Sequence, residues 1–455
     1  MPNTSPNTSL NTSLNTDTLT VTHHGGYQTV TGSCHQVDIK TSGLRLLIDC
    51  GQYQGDDARE ARVNLNGKRI DALILTHAHI DHCGLLPWLL AAGFNGPIYC
   101  TEATAALVPL LIDDTLKLQL NMDYGHRQRV IERIRQLTVT LPYNSWHRLK
   151  PKQKGQPATY LRLQPAGHIL GSAYVELKLP DEQRVVFSGD LGPSNTPLLP
   201  DPTPPSRADI LFLESTYGDK THESVATRAQ RLEAIIQRSL EDGGAILIPA
   251  FSVGRTQELL FDIEQLIHQK QLDDTLPIIL DSPMAQKVTR HYRQFKKLWS
   301  KEAKTKLNQH RHPLAFEQCI TIDEHSQHIA LVNRLKQTGE PAIVVAASGM
   351  CQGGRIMNYL TALLEDKRTD VIFAGYQAQQ TLGRDIQQGN QQVWIDNTPV
   401  TVNAQIHTIS GYSAHADQND LVNFVQGIQP PPKQIHLIHG EPDSQRELAA
   451  LLRNP

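Results

Sequence analysis

Residues 76–84 read THAHIDHCG and place His77, His79, Asp81 and His82 within six positions, directly after an apolar run. In such a loop the i, i+2 pair His77 and His79 can converge on one metal ion, while the adjacent Asp81 and His82 face a second. Imidazole nitrogen and carboxylate oxygen without thiolate suit Zn²⁺, with Mn²⁺ a poorer match. A lone histidine is more often structural than a ligand; three histidines and an aspartate at this spacing reverse that preference. Two metal positions need more donors than one loop supplies. Three further segments offer them after hydrophobic runs: His168 in PAGHILGSA, Asp190 in FSGDLG and His439 in HLIHGE.

Donors drawn from distant segments need rigid carriers. Residues 44–49, 72–76, 185–190 and 210–214 read as buried strands; three end on an acidic residue, Asp49, Asp190 and Glu214, and the fourth runs into His77. Layered α/β folds gather functional groups at strand ends, where the sheet holds loop residues still. Segments 84–92 and 126–137 read as helices. Across 215–394, strands at 245–249, 278–281, 342–348 and 370–376 alternate with helical patterns at 225–241, 255–270, 284–306 and 354–365. That rhythm predicts a parallel sheet flanked by helices. After residue 395 the chain returns to strands at 405–410 and 434–439. Residues 2–16, PNTSPNTSLNTSLNT, form a polar repeat that can bury nothing, so 1–18 is expected to be disordered.

Composition narrows the class. The chain has 455 residues, 39% hydrophobic and 20% charged, which suits a soluble globular protein and excludes disorder or coiled coil throughout. Lys+Arg 43 against Asp+Glu 46 leaves a formal charge of −3, so no global basic field points to a polyanion. Locally, residues 287–311 carry nine Lys or Arg against Glu302 alone, a stripe that could attract phosphates or simply form a solvated helix face. Ser252, Arg255, Ser348 and Arg355 lie in glycine-containing strand-to-helix turns, where backbone N–H groups can meet an anion or merely start a helix. The six cysteines form no CxxC pair, and no basic leader precedes an apolar run. The longest apolar stretch, 84–94, contains Pro87 and is too short to span a bilayer. These features predict a cytoplasmic protein with no membrane partner.

The donor segments, taken in order, resemble the metallo-β-lactamase superfamily, and within it the β-CASP branch of nucleic-acid-processing nucleases, from about residue 19 to 455. Asp49 in LLIDCGQYQG stands at the first motif, the HxHxDH loop at the second, His168 at the third and Asp190 at the fourth. Three motifs mark the branch: Glu214 in LFLESTYG, His415 in SGYSAHAD, and His439 itself. Histidine at the last position is the pattern of RNA-acting members. Within 215–394, FSVGRTQE, SPMA, ASGMCQGGR and GYQAQQTLGR are family-like, although Gln380 stands where a small residue is expected. The chain stops 16 residues after His439 and carries no KH-type module. The resemblance is therefore to compact members, similar to the endonuclease subunit of the mRNA 3′-end cleavage machinery and its bacterial relatives.

The resemblance implies an αββα metallo-β-lactamase sandwich, formed by 19–214 and 395–455, interrupted by a β-CASP α/β domain at 215–394. It implies two Zn²⁺, or Mn²⁺ in their place: His77, His79 and His168 around one, Asp81, His82 and His439 around the other, and Asp190 bridging. Asp49 would orient a ligand histidine through its second ring nitrogen. The expected activity is ribonuclease, with Asp81 orienting the attacking hydroxide and His415, positioned by Glu214, protonating the leaving oxygen. Relatives often form homodimers. Two other functions fit parts of the pattern: hydrolysis of a small thioester or lactam, and a catalytically silent RNA-binding scaffold. The inserted domain argues against the first and the complete donor set against the second.

Overall fold

The computed structural model describes residues 7–9, 13–54, 65–270 and 276–453. Two compact units emerge: one comprises the described residues up to Ser194, Asp201–Thr221 and everything from His415 on, the other Asn195–Pro200 with His222–Ala414.

The first unit is a pair of seven-stranded sheets. One orders its strands Asn7–Ser9, Gln434–Ile438, Ile210–Glu214, Arg184–Phe187, Ala173–Lys178, Thr159–Pro165 and His147–Leu149; the other runs from Ser13–Asn15 through Leu19–Gly25, Cys34–Ile39, Leu44–Ile48, Ala72–Ile74 and Ile98–Cys100 to Thr138–Thr140. Strand side chains alternate between faces. Val37, Leu46, Ile48 and Ile74 thus meet Leu163, Val175, Phe187, Phe212 and Ile438 in the core between the sheets. The alternate residues of the first sheet, Val186, Leu211, Leu213, Ile435 and Leu437, pack under the helices Gln418–Gln426 and Pro442–Arg453 through Leu421, Phe424, Leu448 and Leu452. Both faces of Ile210–Glu214 are covered, which explains its unbroken apolar run. Beside the other sheet, Glu102–Leu118 packs on Tyr124–Leu137 and on the strand Thr138–Thr140.

The second unit is a six-stranded parallel sheet in the order Cys319–Thr321, Ile278–Asp281, Ala342–Ala346, Ala245–Pro249, Asp370–Phe373 and Gln405–Thr408. Helices including Val225–Asp242, Arg255–Lys270 and Ile356–Leu363 flank it. Among the described residues no helix is long and apolar enough to cross a membrane.

Three expectations need correction. The strand at Gln405–Thr408 does not return to the sandwich; it pairs in parallel with Asp370–Phe373, so the second unit runs on to Ala414. The basic stretch 284–306 is not one helix. Pro283–Gln294 ends at Phe295, a 3-10 turn follows, and Ser300 caps a new helix, Lys301–Asn308, by accepting from Ala303 N–H. Trp299, buried at the join, fixes the break, so the charges share no single helix face. Lys306 is itself buried over the Phe261 ring, and Arg311 forks onto Glu264. Finally, disorder does not hold across the repeat: Ser13–Asn15 pairs antiparallel with Leu19–Gly25, and Asn7–Ser9 pairs with Gln434–Ile438. Edge pairing uses backbone groups, which polar residues supply as well as apolar ones. Residues 1–6 and 10–12 lie outside the described residues.

Candidate metal centre

Strand direction creates the site. Leu44–Ile48 and Ala72–Ile74 run in parallel, Ile48 opposite Ile74, so Asp49 and the Thr76–His77 turn leave the sheet at the same end. In the facing sheet Arg184–Phe187, Ile210–Glu214 and Gln434–Ile438 are parallel neighbours, and Thr159–Pro165 runs the same way; they deliver Asp190, Glu214, His439 and His168. Gly189, at φ +52°, permits a close approach: a Cβ there would lie 2.8 Å from Thr76 Cβ. At Gly51 a Cβ would lie 1.6 Å from the Asp81 carbonyl oxygen, so the histidine loop can sit on residues 50–52 only over a glycine. Asp49 and His439 hold left-handed backbone, φ 60° and 49°. Non-glycine residues rarely adopt it, and such strain concentrates at functional positions.

The seven expected ligand residues come together as two overlapping groups, His77, His79, His168 and Asp190 on one side and Asp81, His82, Asp190 and His439 on the other, with the ligand atoms of each group within 4.8 Å of one another. In the first, His79 Nδ1 lies 3.2 Å from His77 Nε2 and 3.0 Å from His168 Nε2. Asp190 Oδ2 stands 3.6 Å from His77 Nε2 and 3.5 Å from His168 Nε2. In the second, Asp190 Oδ1 stands 3.2 Å from His82 Nε2 and 3.5 Å from His439 Nε2. Asp81 Oδ2 is 3.8 Å from His82 Nε2 and 3.9 Å from His439 Nε2. Ligands 2.0–2.1 Å from a tetrahedral ion are roughly 3.3 Å apart, so the spacing fits Zn²⁺.

Hydrogen bonding supports the same reading. Among the described residues, both Asp190 carboxylate oxygens and His82 Nε2 are buried without a hydrogen bond, a costly arrangement unless a cation sits among them. Burial opposes charge on His82, yet Asp190, Asp49 and Asp81 hold its pKa well above the usual imidazole range. Burial likewise opposes charge on Asp190, but His439, His82 and His415 hold it well below the usual carboxylate range. The pocket thus demands positive charge, which a proton or a metal can supply. His77 is pushed well down and His439 down to about 4, both chiefly by burial, so they are neutral imidazoles at neutral pH. Burial also raises Asp81 above the usual carboxylate range.

Around the ligands, Asp49 Oδ2 accepts from His82 Nδ1 at 2.7 Å. Asp49 also takes the Thr76 N–H at 2.8 Å and the Thr76 hydroxyl at 2.8 Å, while Thr76 Oγ1 lies 3.0 Å from His77 Nδ1. The hydroxyl proton goes to the carboxylate, so Thr76 accepts from His77 Nδ1–H. Both imidazoles therefore turn Nε2 toward Asp190. Thr76 was not anticipated, although its place beside His77 was visible. Glu214 is buried and accepts from Leu191 N–H at 2.7 Å, Thr216 Oγ1 at 2.7 Å and His415 Nδ1 at 3.2 Å. Burial works against a charge on His415, but Glu214 and Asp190 raise its pKa above the usual value. Its side chain is 19% exposed, as Asp81 is at 18%, so the cluster opens to solvent on the side of these two residues and His79. Asp190, Glu214 and His415 form a third group of the same spacing.

The four phosphate candidates lie in the second unit, and Arg355, Ser252 and Ser348 have hydrogen-bond partners there. Arg355 Nη1 donates to Asp281 Oδ1 at 2.6 Å and to the Ile322 carbonyl, and Nη2 donates to the Asp323 carbonyl. Arg255 is buried against Gly375. Ser252 Oγ meets Ser282 Oγ at 3.3 Å, and Ser348 Oγ accepts from Gln352 N–H. Strand-to-helix turns need such pins whether or not they bind an anion.

Three family descriptions match the chain: the metallo-beta-lactamase superfamily over 31–235, the Beta-Casp domain over 256–386, and the Zn-dependent metallo-hydrolase RNA specificity domain over 399–454. A ribonuclease from Thermus thermophilus is 36% identical over 94% of each chain. An RNase J-like protein from Methanocaldococcus jannaschii is 32% identical, covering 92% of this chain and 91% of its own. The transcription termination factor FttA of the same organism is 30% identical over 96% of this chain and 69% of its own. A crystal structure of a protein of unknown function from Enterococcus faecalis V583 shares the fold, with TM-score 0.51 and 13% identity over 94% of this chain and 95% of its own. The chain belongs to the β-CASP family of the metallo-β-lactamase superfamily.

Proposed function

We propose that this chain is a ribonuclease that hydrolyses RNA phosphodiester bonds at a centre holding two Zn²⁺. The observation that carries the reading is the pair of donor groups sharing Asp190, with the His415–Glu214 pair beside them. Bound there, two divalent ions would supply Lewis acidity, bringing the pKa of water toward neutrality and neutralising phosphoryl oxygens. His77, His79 and His168 would hold one ion, Asp81, His82 and His439 the other, and Asp190 both. Asp81 would also orient the attacking oxygen. Glu214 holds Nδ1–H of His415, so the proton available for the leaving oxygen sits on Nε2. RNA as substrate is supported by the RNA specificity match and by the names of the ribonuclease relatives.

The test is zinc content per chain together with incubation on end-labelled RNA, matched DNA and a chromogenic lactam. RNA loss that disappears in Asp81→Ala is expected. Two zinc ions per chain without RNA turnover would sink the proposal, and lactam turnover alone would replace it with a small-molecule hydrolase.

A further inference from the structure

A file of side chains lies on the inner side of the centre, and its hydrogen-bond polarity can be derived. An ionised Asp49 only accepts. Ser33 Oγ, 3.4 Å from Asp49 Oδ2, therefore donates to it and accepts from His35 Nε2 at 3.2 Å. His35 Nδ1 is then bare and accepts from His23 Nδ1 at 2.8 Å. Every proton in the file points toward the carboxylate that orients His82.

Beside this file is a small chamber lined by Ser33, His35, Asp49, Thr76, His82, Asp190 and His439, with core side chains such as Phe187 and Ile438. It offers about 10 Å³ to the centre of a water-sized sphere, close to the roughly 10–15 Å³ that one water needs. His439, 2% exposed, has an Nδ1 that is buried and makes no hydrogen bond with any described residue. Its Nε2 faces Asp190 and Asp81. A metal-bound histidine almost always donates its other ring N–H, and that contact sets the ring and its basicity.

We infer that the chamber holds one water, which accepts Nδ1–H of His439 and is anchored by Ser33, making Ser33 and His35 positioning residues for the second metal position. The pair then serves both imidazoles there, His82 through Asp49 and His439 through the water. This inference rests on the metal reading above and extends it to two residues at the start of the strand Cys34–Ile39.

The test is zinc affinity of the full chain, measured by competition with a chromophoric chelator, beside the melting temperature of the metal-free protein. Ser33→Ala and His35→Leu should weaken one of the two zinc ions by about 10–100-fold with little change in metal-free melting. Ser33→Thr, which keeps the hydroxyl, should bind as wild type does. If His35→Leu does not fold, the two Ser33 variants decide. A high-resolution structure of the zinc-loaded protein should show a water on His439 Nδ1. Affinities within twofold of wild type for Ser33→Ala, or a dry chamber, would overturn the inference while leaving a two-zinc wild type intact. A wild type that takes up no zinc would overturn the metal reading and this inference together.

Discussion

Two aspartates at strand ends, one in each unit, differ in how far the protein itself satisfies their carboxylates. Asp281 closes the strand Ile278–Asp281 and is fully buried, as Asp190 is beyond the strand Arg184–Phe187. Each has imidazole beside it. Asp281 spends both oxygens on donors: Oδ1 on Arg355 Nη1 at 2.6 Å, Oδ2 on His328 Nδ1 at 2.6 Å and on Tyr359 Oη at 2.5 Å. Asp190 has four imidazole nitrogens within 3.6 Å, yet neither oxygen makes a hydrogen bond among the described residues. The first cluster is complete as protein; the second needs a cation to be complete. Residue type and position do not separate them, whereas donor supply does.

Mutations should divide along that line. Asp190→Ala is expected to abolish RNA turnover and zinc uptake at both positions, read by metal analysis and cleavage of labelled RNA. His415→Ala should lower turnover by about 10²–10⁴-fold while zinc content stays at the wild-type value; loss of zinc instead would make His415 a ligand. Asp281→Ala should leave zinc content unchanged but destabilise the second unit by about 3–5 kcal/mol, because the Arg355 guanidinium and His328 lose their partner. Denaturant unfolding followed on that unit would show it.

A third buried cluster refines the comparison. Arg228 serves Asp262 at 2.8 Å and Glu258 at 3.5 Å. Burial drives the Glu258 pKa up to about 7, against the pull of Arg228. A carboxyl whose folded pKa is raised binds a proton more readily when folded, so its contribution to stability is present below about pH 4.5 and fades as pH rises to about 7. Glu258→Gln should remove that slope: wild type should lose melting temperature relative to the variant between those pH values, and parallel curves would refute the assignment.

Much of the centre was legible because local spacing carries it. The histidine loop and the strand-terminal Asp49, Asp190, Glu214 and His439 stand beside apolar runs that announce their strands. What was not legible depends on pairing. Ser33 and His35 reach Asp49 only because His35 pairs with Ile48 across antiparallel strands. No local pattern announces that register. The strand at Gln405–Thr408 looked like part of the sandwich because its parallel partner, Asp370–Phe373, is remote in sequence. The basic stretch read as one helix because charge periodicity continues past Phe295, where the first helix ends, to the buried Trp299 before the second begins. Arg355 carried a phosphate expectation because its acidic partner, Asp281, lies 74 positions away.

The central claim is that the two unsatisfied oxygens of Asp190 each face a metal ion. Anomalous diffraction from zinc-loaded crystals, recorded on both sides of the zinc absorption edge, tests it most directly. Two peaks are predicted, one beside Oδ1 among Asp81, His82 and His439, the other beside Oδ2 among His77, His79 and His168, roughly 3.5–4 Å apart. A map with no zinc peak there, and Asp190 hydrogen-bonded to ordered water or protonated imidazole, would contradict it.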